Sequence, residues 1–197
     1  SIAEEEVKYH SNDHGVVSIM YHRFEENKYP STNIKIDIFK KQLELIDNNN
    51  IEYYDPIKFD KEYNDPKNNH KVLITIDDAF LSFYENAWPI LKKKRIPFIL
   101  FVSTEPVGKS GYMNWEQIKE VSSYDFAYIG NHSHTHEYLL NFSHTEFEKD
   151  IKNSIKIFKD KLGYNPIFFS YPFGEYNLKQ TQFIKKNFKY GFGQHSG

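Results

Sequence analysis

Apolar residues in this chain occur in short runs that recur along its whole length. Runs of four to seven residues, separated by polar segments rich in Gly, Pro, Asn and Asp, are typical of buried β-strands. The runs predict seven strands, at residues 16–22, 51–54, 72–76, 97–103, 125–130, 167–172 and 190–193.

The segments between these runs have the periodicity of helices. Phe39, Leu43 and Ile46 form one apolar face behind Asp37, which we expect to cap the helix. Pro89 lies inside a second helical segment and is expected to kink or shift it. The first predicted helix begins at Asp37, and the others cover residues 81–94, 113–123, 143–163 and 178–188. A capping box of Ser143 and Glu146 opens the helix over residues 143–163.

The alternation of strands and helices predicts parallel βαβ units in an α/β fold. Polar residues follow the C-terminal ends of the strands, which favours a barrel over an open sheet. A chain of 197 residues can bury a core without disulfide bonds, so we expect one domain over residues 16–197. Residues 1–15 are polar and unpatterned, and we expect them to form a lead-in segment.

Composition excludes several classes of function. The chain has no cysteine, which excludes disulfide bonds, cysteine-ligated metals and a thiol nucleophile. Its net charge of -2 gives no reason to expect a nucleic-acid partner. No apolar run approaches the ~18 residues that a membrane-spanning helix requires.

Conspicuous polar motifs follow three of the predicted strands. They are Asp77-Asp78, the histidine-rich segment 131–136, and the segment 170–174 with the sequence SYPFG. The C-terminal ends of strands in an α/β barrel face one pocket, so residues far apart in sequence are expected to converge there. Two histidines and one carboxylate form a common set of ligands for a divalent metal with open positions for water.

The two successive carboxylates favour a functional role over a structural one. A single Asp after a strand is commonly the N-cap of the next helix. Adjacent strand residues point to opposite faces, so Asp77 and Asp78 are expected to have separate tasks, one as a metal ligand and the other as a general base.

The histidine segment allows two arrangements. If the chain turns helically after the strand, His132 and His136 share one face and His134 points elsewhere. If the chain stays extended, all three imidazoles share one face. The spacing alone leaves this choice open.

The ordered motifs TIDDAF, HSHTH and SYPFG closely resemble those of the polysaccharide deacetylases, carbohydrate esterase family four, also called the NodB-homology domain. The segments MYHR and MNWEQIKE also resemble members of this family, and the similarity extends from Val16 to the chain end. The resemblance implies a distorted (β/α) barrel of the polysaccharide deacetylase type, seven-stranded and incomplete at its C-terminus.

The resemblance also implies roles for individual residues. Asp78, His132 and His136 match the metal ligands of the family, and Asp77 matches its catalytic base. The backbone N–H of Phe173 matches the oxyanion donor. One divalent ion is expected, zinc before cobalt, nickel, manganese or iron. The expected substrate contacts are Tyr171, Pro172, Trp115 and Tyr176, and the expected neighbours of the site are His134 and His22.

Three departures from the family pattern bear on activity. Ala79 replaces the usual Gly after the Asp pair, which Ala tolerates only if the backbone there avoids positive φ. Ser170 stands near the position of an Arg that orients the catalytic Asp. The L-x-H motif that supplies the general acid has no counterpart, so we expect a truncated domain or an acid from elsewhere. His195 is a weak substitute, and His22 is expected to face the pocket.

We therefore predict a metal-dependent hydrolase that removes acetyl groups from the N-acetylated sugars of a polysaccharide. The alternative is a catalytically weak carbohydrate-binding module on the same scaffold. A third hypothesis, which the βαβ pattern disfavours, is an iron oxygenase with two histidines and one carboxylate. The expected partner is a polysaccharide or oligosaccharide. The expected location is the cell envelope of a bacterium or the medium outside it, with the cytoplasm as the alternative.

Overall fold

The computed structural model describes residues 10–11, 16–58 and 71–193. The strands are β1 (His10–Ser11), β2 (Val16–Tyr21), β3 (Arg23–Phe24), β4 (Asn33–Ile34), β5 (Glu52–Tyr53), β6 (Lys71–Asp77), β7 (Phe98–Val102), β8 (Ala127–Asn131), β9 (Phe168–Ser170) and β10 (Tyr190–Phe192). The main sheet has the strand order β1-β2-β6-β7-β8-β9-β10, and β5 also pairs with β6. All pairs in it are parallel except β1 with β2. A small separate sheet joins β3 to β4.

Helices connect most of the parallel strands, as the βαβ pattern predicts. Capping boxes open three of them, at Asn114, Ser143 and Asn177, and the second of these confirms the prediction from sequence. The helices are α1 (Ile36–Asn48), α2 (Trp88–Lys94), α3 (Trp115–Ser122), α4 (His144–Leu162) and α5 (Leu178–Asn187).

One detail of the predicted helices is wrong, and the disturbance expected at Pro89 is found. Asp37 does not cap α1, because the helix begins at Ile36 and Asp37 lies inside its first turn, where a carboxylate favours the helix dipole. The predicted helix 81–94 is not regular, since Phe83–Ala87 is π-helical and Pro89 lies in the first turn of α2. A proline lacks the N–H and crowds the carbonyl four residues earlier, and the wide turn before it accommodates both effects.

The predicted α/β barrel type is confirmed as a curled, mostly parallel sheet. Each of the seven predicted strands overlaps a strand of the main sheet, and β1 adds an eighth from the predicted lead-in segment. The rest of residues 1–15 lies outside the described residues, so the domain boundary stays a prediction. Within the described part of the chain, no helix is both long and apolar enough to cross a membrane.

The register of the sheet brings the polar strand ends together. Asp77 at the end of β6 pairs with Phe101 in β7, and Val102 pairs with Asn131 at the end of β8. Asn131 in turn pairs with Phe169 in β9. The residues that directly follow β6, β7, β8 and β9 therefore lie along one edge of the sheet.

Candidate active site

The turn after β6 carries the two carboxylates into the site. Asp77 and Asp78 are buried, and Asp78 and Ala79 both have left-handed backbones, with φ of 77° and 53°. The condition under which Ala79 would replace glycine without strain, a backbone that avoids positive φ, is therefore not met. A left-handed conformation costs an L-residue about 1–2 kcal/mol, and Ala79 bears that cost where glycine would not.

The loop after β8 places His132 and His136 against Asp78. The Nε2 atom of His136 lies 2.9 Å from Asp78 Oδ1, and that of His132 lies 3.3 Å from the same oxygen. The three candidate ligand atoms all lie within 4.8 Å of one another. Ser133 and His136 have left-handed backbones, with φ of 71° and 56°, so the loop is neither helical nor extended.

His134 lies outside this triad. Its Nδ1 is 2.8 Å from the hydroxyl of Thr104, and its carbonyl accepts a hydrogen bond from the N–H of Glu105 at 2.9 Å. These contacts fasten the loop after β8 to the loop after β7. The loop thus has neither of the two backbones that the sequence left open, but His132 and His136 converge on Asp78 while His134 points elsewhere, as expected for the helical arrangement.

The hydrogen bonds of His132 leave one ring nitrogen available. Its Nδ1 lies 2.8 Å from the carbonyl oxygen of Ser170 and must donate to it, because a carbonyl only accepts. The proton is then on Nδ1, and Nε2 presents a lone pair toward Asp78. A histidine that ligates a metal is held in the same way by its second nitrogen.

The donor set fits a divalent metal ion. Asp78 Oδ1 is buried and has no hydrogen-bond partner among the described residues, although two imidazole nitrogens lie close to it. Ligand atoms about 2.0–2.2 Å from one zinc ion stand roughly 3.4 Å apart in a tetrahedral site. The distances from Asp78 Oδ1 to the two Nε2 atoms, 2.9 and 3.3 Å, are close to that spacing. Two nitrogens and one carboxylate oxygen suit zinc and related transition metals.

Charges in the site shift the pKa values of its groups. Burial alone would raise the pKa of Asp78, but the neighbouring imidazoles of His132 and His136, when protonated on Nε2, outweigh it and hold that pKa well below its ordinary value. Burial raises the pKa of Asp77 above its ordinary value, against the opposing influence of His132 and His22. The two adjacent carboxylates are thus electrostatically different, as their predicted separate tasks require.

Asp77 is next to an imidazole outside the triad. Its Oδ2 lies 3.6 Å from Nε2 of His22, which follows β2, while its Oδ1 is buried without a hydrogen-bond partner among the described residues. His22 is therefore a candidate to orient Asp77, a task that the family pattern gives to an Arg near the position of Ser170.

The third motif forms a short turn beside the triad. Phe173 has φ of 59° and lies in the 3-10 turn Pro172–Gly174. Phe173 is 56% exposed, and its ring centroid is 5.2 Å from that of His136. No acceptor for its backbone N–H exists among the described residues.

A pocket of about 300 Å³ opens beside Asp78 and His136. Its wall includes Arg23, whose guanidinium carbon lies 3.7 Å from the ring centroid of Phe80 and 4.3 Å from that of Tyr29. The remaining residues around the pocket are Ser31, Thr32, Ser103, Pro106 and Tyr112. Aromatic rings beside hydroxyl groups and an Arg suit a sugar.

None of the four predicted substrate contacts lines this pocket. Tyr171 is 5% exposed and stacks on Tyr176 with ring centroids 4.6 Å apart, and Pro172 is also buried. Trp115 packs edge-on against Phe158 of α4. Burial leaves Tyr171 and Pro172 little surface for a sugar, while contact through Trp115 or Tyr176 stays a prediction.

The prediction from sequence missed most of the pocket wall. Two of the missed residues could have been predicted from their closeness to the motifs in sequence. Arg23 directly follows His22, and Phe80 follows the Asp pair by two residues. Tyr29, Ser31 and Thr32 lie in the segment between β3 and β4 and carry no such signal. His195 lies outside the described residues.

A family model for polysaccharide deacetylases matches residues 64–191, well over half of the chain. The chain belongs to the polysaccharide deacetylase family. The match includes the Asp pair, the histidine loop and the turn at Phe173, so the residues that converge in space are also those that carry the resemblance.

Curated polysaccharide deacetylases are similar to this chain over part of their length. The poly-beta-1,6-N-acetyl-D-glucosamine N-deacetylase of Staphylococcus epidermidis is 30% identical over 155 residues, which cover 69% of this chain and 51% of that protein. The Staphylococcus aureus (strain MSSA476) protein of the same name is 31% identical over 135 residues, covering 61% and 47%. The chain thus spans about half the length of these relatives.

Solved structures of polysaccharide deacetylases share the fold. IcaB from Ammonifex degensii has a TM-score of 0.74 and 26% sequence identity, with 88% of this chain and 81% of that chain covered. The Streptococcus pyogenes deacetylase PplD has a TM-score of 0.79 and 24% identity, with 91% and 84% covered. The second likeness supports the fold alone.

Proposed function

We propose that this protein is a metal-dependent N-deacetylase that hydrolyses the acetamide groups of a polysaccharide. The observation that carries the proposal is the convergence of Asp78 Oδ1 with the Nε2 atoms of His132 and His136, beside a second buried carboxylate. Membership of the polysaccharide deacetylase family supports the same reaction.

Asp78, His132 and His136 would hold the ion, with zinc the first expectation from the donor set. An ion bound by them would polarise the amide carbonyl and lower the pKa of water. Ser170 contributes through its carbonyl, which keeps the His132 proton on Nδ1 and so leaves Nε2 free.

Asp77 is the proposed general base. Its Oδ1, which has no hydrogen-bond partner in the described part of the chain, is available to accept a proton from the attacking water. Burial raises the pKa of this carboxyl, which makes its anion a stronger base than an exposed Asp.

The backbone N–H of Phe173 is the proposed donor to the oxyanion. The turn leaves this group without an acceptor among the described residues, and its positive φ sets the direction of the peptide. A preorganised donor stabilises negative charge in the transition state without reorganising during the reaction.

His22 is the proposed source of the proton for the departing amine. Cleavage of the C–N bond requires an acid, and His22 Nε2 lies 3.6 Å from Asp77 Oδ2. The proton that Asp77 accepts from water can therefore pass to His22 across this short distance. The pair then supplies both proton transfers.

The pocket beside the triad is the proposed sugar-binding site. Phe80, Tyr29 and Tyr112 offer ring faces, while Arg23 and neighbouring hydroxyls offer hydrogen bonds. The names of the staphylococcal relatives indicate a polymer of β-1,6-linked N-acetylglucosamine as the first substrate to test. A substrate of that kind favours action at the cell envelope or outside the cell.

The experiment compares two isosteric variants with the unaltered protein. Acetate release from poly-β-1,6-N-acetylglucosamine and bound metal per chain are measured for Asp77→Asn and Asp78→Asn. We expect Asp77→Asn to keep the metal and lose at least about 100-fold in kcat, because only the base is removed. We expect Asp78→Asn to lose both the metal and the activity.

Asp125→Asn is the matched control, since Asp125 is exposed and pairs with Arg95 away from the site. Full activity in Asp77→Asn would overturn the mechanism. Binding of the polymer by the unaltered protein without acetate release, with metal present, would favour the carbohydrate-binding module instead.

A further inference from the structure

Asp150 is a buried carboxylate on α4 that faces the histidine loop. It is 7% exposed, and both of its oxygens accept hydrogen bonds from that loop. Oδ2 accepts from the N–H of His134 at 2.9 Å, while Oδ1 accepts from the N–H of Thr135 at 3.2 Å and from its hydroxyl at 2.8 Å.

No cationic side chain among the described residues forms an ion pair with Asp150. Its negative charge is instead compensated by three loop donors, an arrangement that a neutral side chain of the same shape cannot reproduce. An Asn at this position would direct its NH₂ group toward at least one N–H of the loop. The structure therefore pairs a costly buried charge specifically with this loop.

The loop requires such support because its backbone is strained. Ser133 and His136 are both left-handed, and residues in such conformations cost of order 1–3 kcal/mol and persist only where the surroundings hold them. The two strained residues lie on either side of His134 and Thr135, the two residues that donate to Asp150. Within the loop, the N–H of His136 donates to Ser133 Oγ at 3.1 Å.

A second contact from the same helix face holds the start of the loop. Asn131 Nδ2 donates to Ser154 Oγ at 2.8 Å, and Asn131 Oδ1 accepts from the N–H of Ser133 at 2.8 Å. Ser154 follows Asp150 by four residues, so the two side chains lie one turn apart on α4. Helix α4 thus forms hydrogen bonds with the loop both before His132, at Asn131, and after Ser133, at residues 134 and 135.

We propose that Asp150 is a positioning residue that sets the geometry of His132 and His136 for metal binding. The inference rests on the proposed function. Among the described residues, Asp150 forms no hydrogen bond with a candidate ligand side chain. It acts by holding the backbone of residues 134 and 135, and the ligands His132 and His136 lie before and after that segment. Outer groups that orient metal ligands typically change metal affinity by about 10- to 100-fold when they are replaced.

The test measures zinc binding by competition with a chelator, for the unaltered protein and for Asp150→Asn. We expect the Kd for zinc to rise at least about tenfold in the variant. The visible absorption of the cobalt-loaded protein should also change, because it reports the geometry of the ligands. The matched control is Asp160→Asn, an exposed Asp on the same helix, which should leave both measurements unchanged.

Thr135→Ala is a milder variant in case Asp150→Asn unfolds. It removes only the hydroxyl donor to Asp150 Oδ1. We expect its Kd for zinc to rise about threefold, less than the rise expected for Asp150→Asn. Unfolding of the metal-free proteins is measured in parallel. A purely structural role would lower stability while leaving the Kd and the cobalt spectrum of the folded protein unchanged.

The outcomes separate this inference from the proposed function. If the unaltered protein binds no divalent metal, the proposed function fails. If it binds metal and both Asp150→Asn and Thr135→Ala bind it with the same Kd and the same spectrum, the positioning role is overturned while the proposed function stands.

Discussion

The two sides of the pocket are built differently. On the metal side, Asp78 and His132 are buried and follow directly on the strands β6 and β8. On the opposite side, Arg23 and Tyr29 belong to β3 and the segment after it, and Tyr29 is 59% exposed. The metal side is fixed by the main sheet, and the opposite wall by ring and guanidinium contacts between loops.

Under the proposed function, this difference separates the groups that carry out the reaction from those that bind the sugar. Groups that hold a metal and move protons need fixed geometry, and strand ends joined by a hydrogen-bonded sheet supply it. Groups that contact a sugar tolerate more movement, and loops are the usual place for them. Variants on the metal side should therefore act mainly on kcat, and variants on the opposite wall mainly on KM.

The largest effect that would sharpen this contrast concerns His22. We expect His22→Gln to lower kcat about 100-fold with KM within about threefold, because a proton transfer is removed and the sugar contacts remain. The measurement is the rate of acetate release from the polymer over a range of concentrations.

The same variant distinguishes proton donation from orientation of Asp77. An aryl acetate has a leaving group that needs no proton, so the loss should disappear with that substrate if His22 is the acid. An equal loss with both substrates would assign His22 to orienting Asp77 instead. His144→Gln is the control, since His144 also lies beside a carboxylate, Glu148, at 2.9 Å but on the surface of α4.

An intermediate effect is expected on the opposite wall. We expect Arg23→Met to raise KM about tenfold, roughly the loss of one charge-assisted hydrogen bond, and to leave kcat within about threefold. Steady-state kinetics with the polymer check this.

Arg95→Met is a closely matched control for that variant. Arg95 also lies over a ring, 4.9 Å from the centroid of Phe126, and pairs with Asp125 as Arg23 pairs with Glu26, yet it does not line the pocket. A loss in kcat with unchanged KM for Arg23→Met would contradict the division between the two sides.

The smallest effect concerns Phe173. If its backbone N–H is the oxyanion donor, Phe173→Gly keeps that group and relieves the positive φ, so kcat should stay within about threefold. The Phe173 ring would instead be essential if kcat fell by 100-fold or more. Acetate release measured beside the unaltered protein decides between these roles.

Much of the secondary structure and the metal side followed from the sequence. Alternating apolar runs and helical stripes are local signals, and they predicted the strands of the main sheet apart from β1. Because the C-terminal ends of parallel strands share one edge, Asp78 and the histidines were expected to meet across more than fifty residues. The roles assigned to these residues stay proposals until the variants are measured.

Local patterns do not specify how loops pack. The choice of His132 and His136 over His134 depends on left-handed backbones at Ser133 and His136, which residue type does not indicate because neither is glycine. The same holds for Ala79, whose positive φ is imposed by the turn after β6.

The sequence by itself thus determined the order of elements and the residue types that can bind a metal. Only the tertiary structure decided the pocket wall at Arg23 and Tyr29, the pairing of Asp77 with His22, and the contact of Asp150 with the histidine loop. The physical reason is that periodicity and capping act between neighbours along the chain, whereas these contacts join residues brought together by packing.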